Sequence, residues 1–265
     1  MSGAGMYLAS ATATVSNCNF NNNIAAGEGG GLYVGTTVTS GITNCNFTGN
    51  SSAVNGGGLC NYSTIAINIT GCDFTSNSSP YGAGLYNQTA SPVISNCNFL
   101  SNTASSGGGG MRNYATASPT VNNCVFSGNT GGTYGGGMYN SSTSAPAVTN
   151  CLFSGNTATN GGGIANDITS NAVIVNSTIA ANKAITAGGG VYNSFSIPDL
   201  KNCIVYGNTA ASGYSLNGTS STITYSNIEG GYFGTGNIDI NPAFSSPQLA
   251  SSAPTTLGDY HLQDC

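Results

Sequence analysis

The chain has 265 residues, of which only 4% are charged, and its formal net charge is −5. Its three basic residues, Arg112, Lys183 and Lys201, are too few to neutralise a nucleic-acid backbone or to form a polybasic membrane patch. No apolar run is long enough for a transmembrane helix, so we expect no membrane insertion within this chain. The opening residues do not form a signal peptide, and we expect any signal sequence to lie outside this chain, in a longer parent protein.

The sequence repeats with a period of about 26 residues, and each repeat carries the same short elements in the same order. A glycine cluster comes first, followed by a large apolar residue at Met6, Leu32, Leu59, Leu85, Met111, Met138, Ile164 and Val191. A second apolar column follows at Val15, Ile42, Ile69, Ile94, Val121, Val148, Ile174 and Leu200. Apolar columns that keep register over eight repeats indicate an ordered core.

A bend and two further inward positions come next in each repeat. The bend residue is Asn17, Asn44, Gly71, Asn96, Asn123, Asn150, Asn176 or Asn202, which suits a left-handed backbone. The residue after it defines a cysteine column at Cys18, Cys45, Cys72, Cys97, Cys124, Cys151 and Cys203, with Ser177 in the seventh repeat. Two residues further lies a phenylalanine column at Phe20, Phe47, Phe74, Phe99, Phe126 and Phe153, continued by Ile179 and Val205.

An asparagine closes every repeat, three residues after the phenylalanine column. These asparagines are Asn23, Asn50, Asn77, Asn102, Asn129, Asn156, Asn182 and Asn208. Stacked identical amides hydrogen-bond along a column, as they do in cross-β stacks. The pattern therefore predicts a structural asparagine ladder.

The segments between the turns are short and rich in β-branched and aromatic residues, and none has helical spacing. Each repeat therefore predicts one coil of an all-β, single-stranded parallel β-helix, a solenoid with about 26 residues per coil. Eight full coils with degenerate ends fit the sequence. We assign residues 1–222 to the repeat body. Residues 223–265 form a degenerate last coil, through Ile223, Ser226 and Ile228, and a closing segment of the same domain.

The repeats resemble those of chlamydial polymorphic outer-membrane proteins. Sequences such as "GGGLY", "GAGLY" and "GGGMY" are similar to the Gly-Gly-Ala-Ile motif of that family, and "FNNN", "FTGN" and "FSGN" match its Phe-x-x-Asn motif. The tail, from "YSNIEGGYFGTGNIDINPAF" onward, resembles the closing segment of secreted bacterial right-handed β-helix proteins. The resemblance implies a right-handed coil, an extracellular or cell-surface setting in bacteria, and adhesive or structural roles. It implies no catalytic residue.

The acidic residues do not gather as catalysis or metal binding requires. Glycoside hydrolysis needs two neighbouring carboxylates, and calcium prefers several oxygen ligands, yet no two acids share one face of adjacent predicted coils. Asp199 and Lys201 are expected to pair on the surface, and His261 is the only histidine. No coil has an insertion that would raise a loop. We therefore predict no enzyme, no catalytic residue, no metal site and no cofactor.

The cysteines allow two interpretations. An inward column favours free, buried thiols, but adjacent coils also bring Cα atoms within disulfide reach. Cys60 stands among tyrosines, directly after the inward Leu59, and is expected to face outward as a reactive thiol. Cys265 is the other candidate for an exposed thiol.

Three functions fit this architecture. The first is a non-catalytic cell-surface or secreted structural or adhesin-like module, which binds host or cell-surface glycans or proteins, or stacks end to end on itself into fibres. The second is a carbohydrate-binding or polysaccharide-processing protein. The third is an ice-binding protein that uses outward threonines such as Thr43, Thr70 and Thr149, although Val93 and Val173 interrupt this pattern.

Overall fold

The structure is a computed structural model, and it describes residues 2–9, 12, 14–39, 41–218 and 221–263. In these residues the chain forms a parallel β-solenoid whose strands return to the same sheet once per coil. The only helical element among them is the short 3-10 turn Ala250–Ser252. The predicted all-β solenoid is confirmed.

Three nine-stranded parallel sheets run along the solenoid. Sheet A follows the glycine clusters and consists of Met6–Leu8, Leu32–Val34, Leu59–Asn61, Leu85–Gln88, Met111–Tyr114, Met138–Ser141, Ile164–Asp167, Val191–Ser194 and Leu216–Gly218. Sheet B consists of Val15–Ser16, Ile42–Thr43, Asn68–Thr70, Val93–Ser95, Thr120–Asn122, Ala147–Thr149, Val173–Val175, Asp199–Lys201 and Thr222–Thr224. Sheet C consists of Asn19–Asn21, Asn46–Thr48, Asp73–Thr75, Asn98–Leu100, Val125–Ser127, Leu152–Ser154, Thr178–Ala180, Ile204–Tyr206 and Asn227–Ile228.

A fourth, less regular sheet, sheet D, lies between sheet C and the glycine clusters. Its first group of strands is Ile24–Ala25, Ser51–Ser52, Ser78–Tyr81 and Thr103–Gly107, and its second is Thr157–Asn160 and Lys183–Ala187. Isolated bridges at Thr130 and Tyr134 connect the two groups. Outside the solenoid, Phe244–Ser246 and Asp259–Leu262 form an antiparallel hairpin, which we call the C-terminal hairpin.

The core is built from the predicted columns, which pair in register from coil to coil. The phenylalanine column stacks face to face, with ring centroids 4.6 to 4.8 Å apart and planes within 3° of parallel. Leu216, Ile223 and Ile228 continue the three apolar columns into a ninth coil. One continuous apolar core therefore runs the length of the solenoid.

The bend between sheets B and C has the predicted left-handed backbone. The seven bend asparagines have φ between 48° and 54°, and Gly71 has φ 62°. A second left-handed position, absent from the prediction, precedes the asparagine ladder. It is occupied by Asn22, Gly49, Ser76, Ser101, Gly128, Gly155, Ala181 and Gly207. These two corners turn each coil between its strands.

The tail covers the last coil and then returns along the solenoid. Ile228 donates its backbone N–H to the Ile238 carbonyl at 2.9 Å, and Asn237 Nδ2 donates to the Ile223 carbonyl at 2.9 Å. Further on, Phe244 and Tyr260 of the C-terminal hairpin pack on Ala180 and neighbouring residues on the outer face of sheet C. The tail thus contacts coils well before the one it leaves.

Candidate functional site

The predicted asparagine ladder lies buried inside the corner after sheet C. Asn129 is typical: its Oδ1 accepts hydrogen bonds from the backbone N–H and the Nδ2 of Asn102, at 2.9 and 3.0 Å. Its own Nδ2 donates to Asn156 Oδ1 at 2.9 Å and to the Phe99 carbonyl at 2.8 Å. Every polar group of the side chain is therefore satisfied without water, which is what a buried amide requires.

A second asparagine ladder, which was not predicted, lies in sheet A. It consists of Asn61, Asn87, Asn113, Asn140, Asn166 and Asn193, whose side chains are joined by bonds of 2.8 to 3.2 Å. The signal was an asparagine two residues after the apolar residue of the glycine motif in six of the eight repeats, from Leu59 to Val191. Both ladders therefore support the scaffold.

The cysteine column lies on the inner side, and the eight cysteines within the described residues are free thiols. Cys45 and those after it in the column are buried, whereas Cys18 is half-buried. Burial raises the pKa of Cys203 to about 11. An enclosed thiol is a poor nucleophile, so the buried cysteines of the column act as core residues.

The expectation that Cys60 is an exposed thiol is wrong. Its side chain does point away from Leu59, yet it is fully buried, because tyrosines from its own coil and the neighbouring coils close over it. Burial raises the pKa of the Cys60 thiol well above its usual value. Cys265, the other candidate, lies outside the described residues.

The tyrosines over Cys60 belong to a longer feature along the outer face of sheet A and the adjoining end of sheet D, which we call the tyrosine row. It comprises Tyr7, Tyr33, Tyr62, Tyr81, Tyr86, Tyr114, Tyr134, Tyr139 and Tyr192, with Arg112 in its middle. Tyr7 and Tyr33 stack with centroids 4.8 Å apart, and Tyr134 lies 5.1 Å from Tyr139. The row is therefore a line of partly exposed aromatic rings on a weakly charged molecule.

Two carboxylates hold tyrosine hydroxyls in the row. Tyr62 donates its hydroxyl to Glu28, which also accepts from Asn55 Nδ2 at 2.9 Å. Asp167 accepts a long bond of 3.4 Å from the Tyr139 hydroxyl. Burial, followed by the nearby charge of Asp167, raises the pKa of Tyr139 to about 12. The hydroxyl of Tyr139 therefore stays protonated at neutral pH.

The remaining charged residues are scattered. Asp199 and Lys201 flank Leu200 on sheet B, but the predicted ion pair between them is wrong, because the Lys201 nitrogen and the Asp199 carboxylate oxygens do not approach within 4.0 Å. Within the described residues the recorded ion pair is His261 to Asp259, at 2.6 Å on the surface. No group of three or more histidine, cysteine or acidic side chains suited to a metal ion occurs in that part of the chain.

The outward threonines proposed for ice binding lie on sheet B. Thr43 and Thr70 pair in register, and Thr70 Oγ1 lies 3.1 Å from Ser95 Oγ. The neighbouring outward positions include Asn68 and the exposed Val93, so the surface alternates in chemistry from coil to coil. This face does not present a regular threonine array.

The fold and these stacked columns define a parallel β-solenoid, and comparison with known proteins specifies the family. A model of the right-handed β-helix region matches residues 1–153, more than half of the chain, and the chain therefore belongs to the right-handed β-helix family. A model of the Chlamydia polymorphic membrane protein repeat matches residues 150–167. No curated protein matches the chain significantly. In the described residues, no helix is both long and apolar enough to cross a bilayer.

Solved structures similar to this chain include two trypsin-treated variants of QnrB1, a plasmid-mediated fluoroquinolone resistance protein. They are 12% and 14% identical to it, with TM-scores of 0.34 and 0.29. The alignments cover 88% and 89% of this chain and 91% of each QnrB1 chain.

Proposed function

We propose that the protein is a non-catalytic, adhesin-like β-helix module at the bacterial cell surface or in secreted form. The observation that carries this proposal is the tyrosine row along sheet A and the adjoining end of sheet D. The match to the polymorphic membrane protein repeat supports the surface setting. The rest of the solenoid serves as a rigid support that holds the row in place.

The dimensions of the row suit an extended partner. Tyr7 and Tyr192 are seven coils apart, so the row is about 34 Å long at the strand spacing of a parallel sheet. Tyrosine contributes a large contact area and loses little side-chain entropy on binding, which explains its abundance in recognition surfaces. The buried members, such as Tyr86 and Tyr139, hold the accessible ones in position.

The covered last coil argues against end-to-end stacking on that side. Ile238 pairs with the edge strand at Asn227, and Asn237 donates to the Ile223 carbonyl. A second copy would have to displace these residues before it could extend the sheets. We therefore favour a partner of different chemistry, bound along the side of the solenoid.

The proposal is tested with intact cells. An antibody against the chain should label unpermeabilised bacteria or the culture medium, and purified fluorescent protein should bind to host or neighbouring cells. Replacing Tyr33 and Tyr192 with serine should reduce that binding. The matched control replaces Tyr214 and Tyr225, two exposed tyrosines outside the row, and should leave binding unchanged. Labelling confined to permeabilised cells would overturn the surface location, and equal binding by both variants would overturn the role of the row.

A further inference from the structure

Arg112 occupies a position in the tyrosine row that is otherwise aromatic in neighbouring coils. It pairs with Tyr86 on one side and Tyr139 on the other. Its guanidinium carbon lies 3.9 Å from the ring centroid of Tyr81, 4.9 Å from that of Tyr114 and 5.1 Å from that of Tyr139. The guanidinium is therefore a planar member of the stack, held by its faces through cation–π contacts.

The in-plane donors of this guanidinium are almost unused. Arg112 Nη2 makes one long contact of 3.4 Å with Ser141 Oγ, and Nε is buried without an acceptor. No carboxylate of the described residues lies within 4.0 Å of the Arg112 guanidinium. A half-buried arginine normally has an anionic or carbonyl partner, because unpaired buried donors are costly. The described residues supply no such partner.

The hydroxyls beside Arg112 are also available. In the described part of the chain, no acceptor or donor pairs with the hydroxyls of Tyr81 and Tyr114, and both residues are half-buried. Phenolic hydroxyls both donate and accept, so they suit the hydroxyl groups of a sugar. One cation, two free hydroxyls and surrounding aromatic rings thus meet on an open face.

We propose that Arg112, Tyr81 and Tyr114 form a binding site for a carboxylated sugar unit of a glycan. This inference rests on the proposed adhesin-like function and specifies its ligand. The terminal nitrogens of Arg112 bind the sugar carboxylate end-on through charge-assisted hydrogen bonds. Tyr81 and Tyr114 bind ring hydroxyls on either side, and the flat surface leaves the glycan free to continue along the row.

An acidic peptide suits this site less well. Acidic protein motifs are usually recognised by clusters of basic residues, whereas Arg112 is the single basic residue of the tyrosine row. The two other basic residues stand on different sheets, Lys183 on sheet D and Lys201 on sheet B. A single carboxylate on a hydroxyl-rich ligand matches the donors that are present.

The test measures binding of two carboxylated probes by calorimetry, each paired with a neutral counterpart. A hyaluronan octasaccharide carries internal uronates and is compared with its carboxyl-reduced form. Sialyllactose carries a terminal acidic sugar and is compared with lactose. We expect at least one acidic probe to bind at least about tenfold more tightly than its counterpart, as expected from the loss of a charge-assisted bond. Binding of hyaluronan would identify an internal uronate as the ligand, and binding of sialyllactose would identify a terminal acidic sugar.

Variants make the assignment specific to Arg112. Arg112→Gln should weaken binding of the acidic probe at least about tenfold, and Arg112→Lys should restore it only in part, because lysine lacks the planar fork. Lys183→Gln removes the same charge from another sheet and should keep wild-type affinity. Circular dichroism establishes that each variant is folded, and Tyr114→Phe, which retains the ring, provides a second, milder perturbation of the site.

Several results would overturn the proposal. They are equal affinity for acidic and neutral probes, no binding of either acidic probe by the folded protein, wild-type affinity in Arg112→Gln, or tighter binding of a polyglutamate peptide than of either glycan. None of these results bears on surface labelling of intact cells. Failure of the ligand assignment is therefore distinguishable from failure of the proposed function.

Discussion

Replacing Asn129 with alanine should destabilise the solenoid strongly, because the side chain lies in the middle of the buried asparagine ladder. Four hydrogen bonds are lost: two to Asn102, one to Asn156 and one to the Phe99 carbonyl. At a net value of roughly 1 kcal/mol for each bond, the free energy of unfolding should fall by about 4 kcal/mol. The backbone N–H of Asn102 is also left buried without its acceptor, so the loss should not fall below this value.

The measurement is guanidinium unfolding followed by far-ultraviolet circular dichroism. The same substitution at Asn23, the first member of the ladder, is the matched control. The Asn23 side chain is half-buried and makes one such bond, to Asn50 Oδ1 at 2.8 Å, so its loss should cost about 1 kcal/mol. Equal losses at Asn23 and Asn129 would refute the view that ladder energy scales with the bonds each amide makes in the column.

Three further predictions follow from burial and backbone geometry. Burial raises the pKa of Cys203 from 9.0 to about 11. The protonated thiol therefore contributes its full share of stability below pH 9.0, and this share is lost as the pH rises towards 11. Denaturant midpoints measured across that pH range test this loss. Iodoacetamide should label half-buried Cys18 in the native protein but label Cys60 only after unfolding, as peptide mass spectrometry can determine; equal rates would contradict the burial of Cys60. Asn150→Ala should lower the free energy of unfolding by about 1 kcal/mol and Asn150→Gly by much less, because Asn150 has a φ of 54°, which glycine adopts more easily than alanine. Equal unfolding midpoints for the two variants would contradict a role for the left-handed backbone at this position.

The sequence predicts the coil body well because every inward position recurs once per coil. Phe126 pairs with Phe99 and Phe153 in the structure, as their common place in the repeat requires. The left-handed bend was predictable for the same reason, since only residues that tolerate positive φ occupy it. Local chemistry and period are sufficient to place these side chains.

Features that depend on contacts across the surface are harder to predict. Alternation along a strand places Cys60 outward, but the tyrosines that bury it come partly from neighbouring coils and from a different position of the repeat, at Tyr62. Similarly, Leu152 and Ile204 replace the asparagines found at the equivalent outward position of earlier coils. That change signals a covered surface, but it does not specify that the covering segment is the C-terminal hairpin.

The hairpin also has a consequence for the order in which the protein is completed. The coil-to-coil bonds of the buried asparagine ladder join residues 25 to 30 positions apart, whereas the Thr255 carbonyl accepts a bond from Ser127, 128 positions earlier in the chain. A chain that emerges from its amino end can therefore add coils one at a time. The C-terminal hairpin, however, packs on sheet C only after synthesis or export is almost finished. Conversely, a protease or a pulling force that acts on the carboxyl end must detach the C-terminal hairpin before it can unfold the last coils.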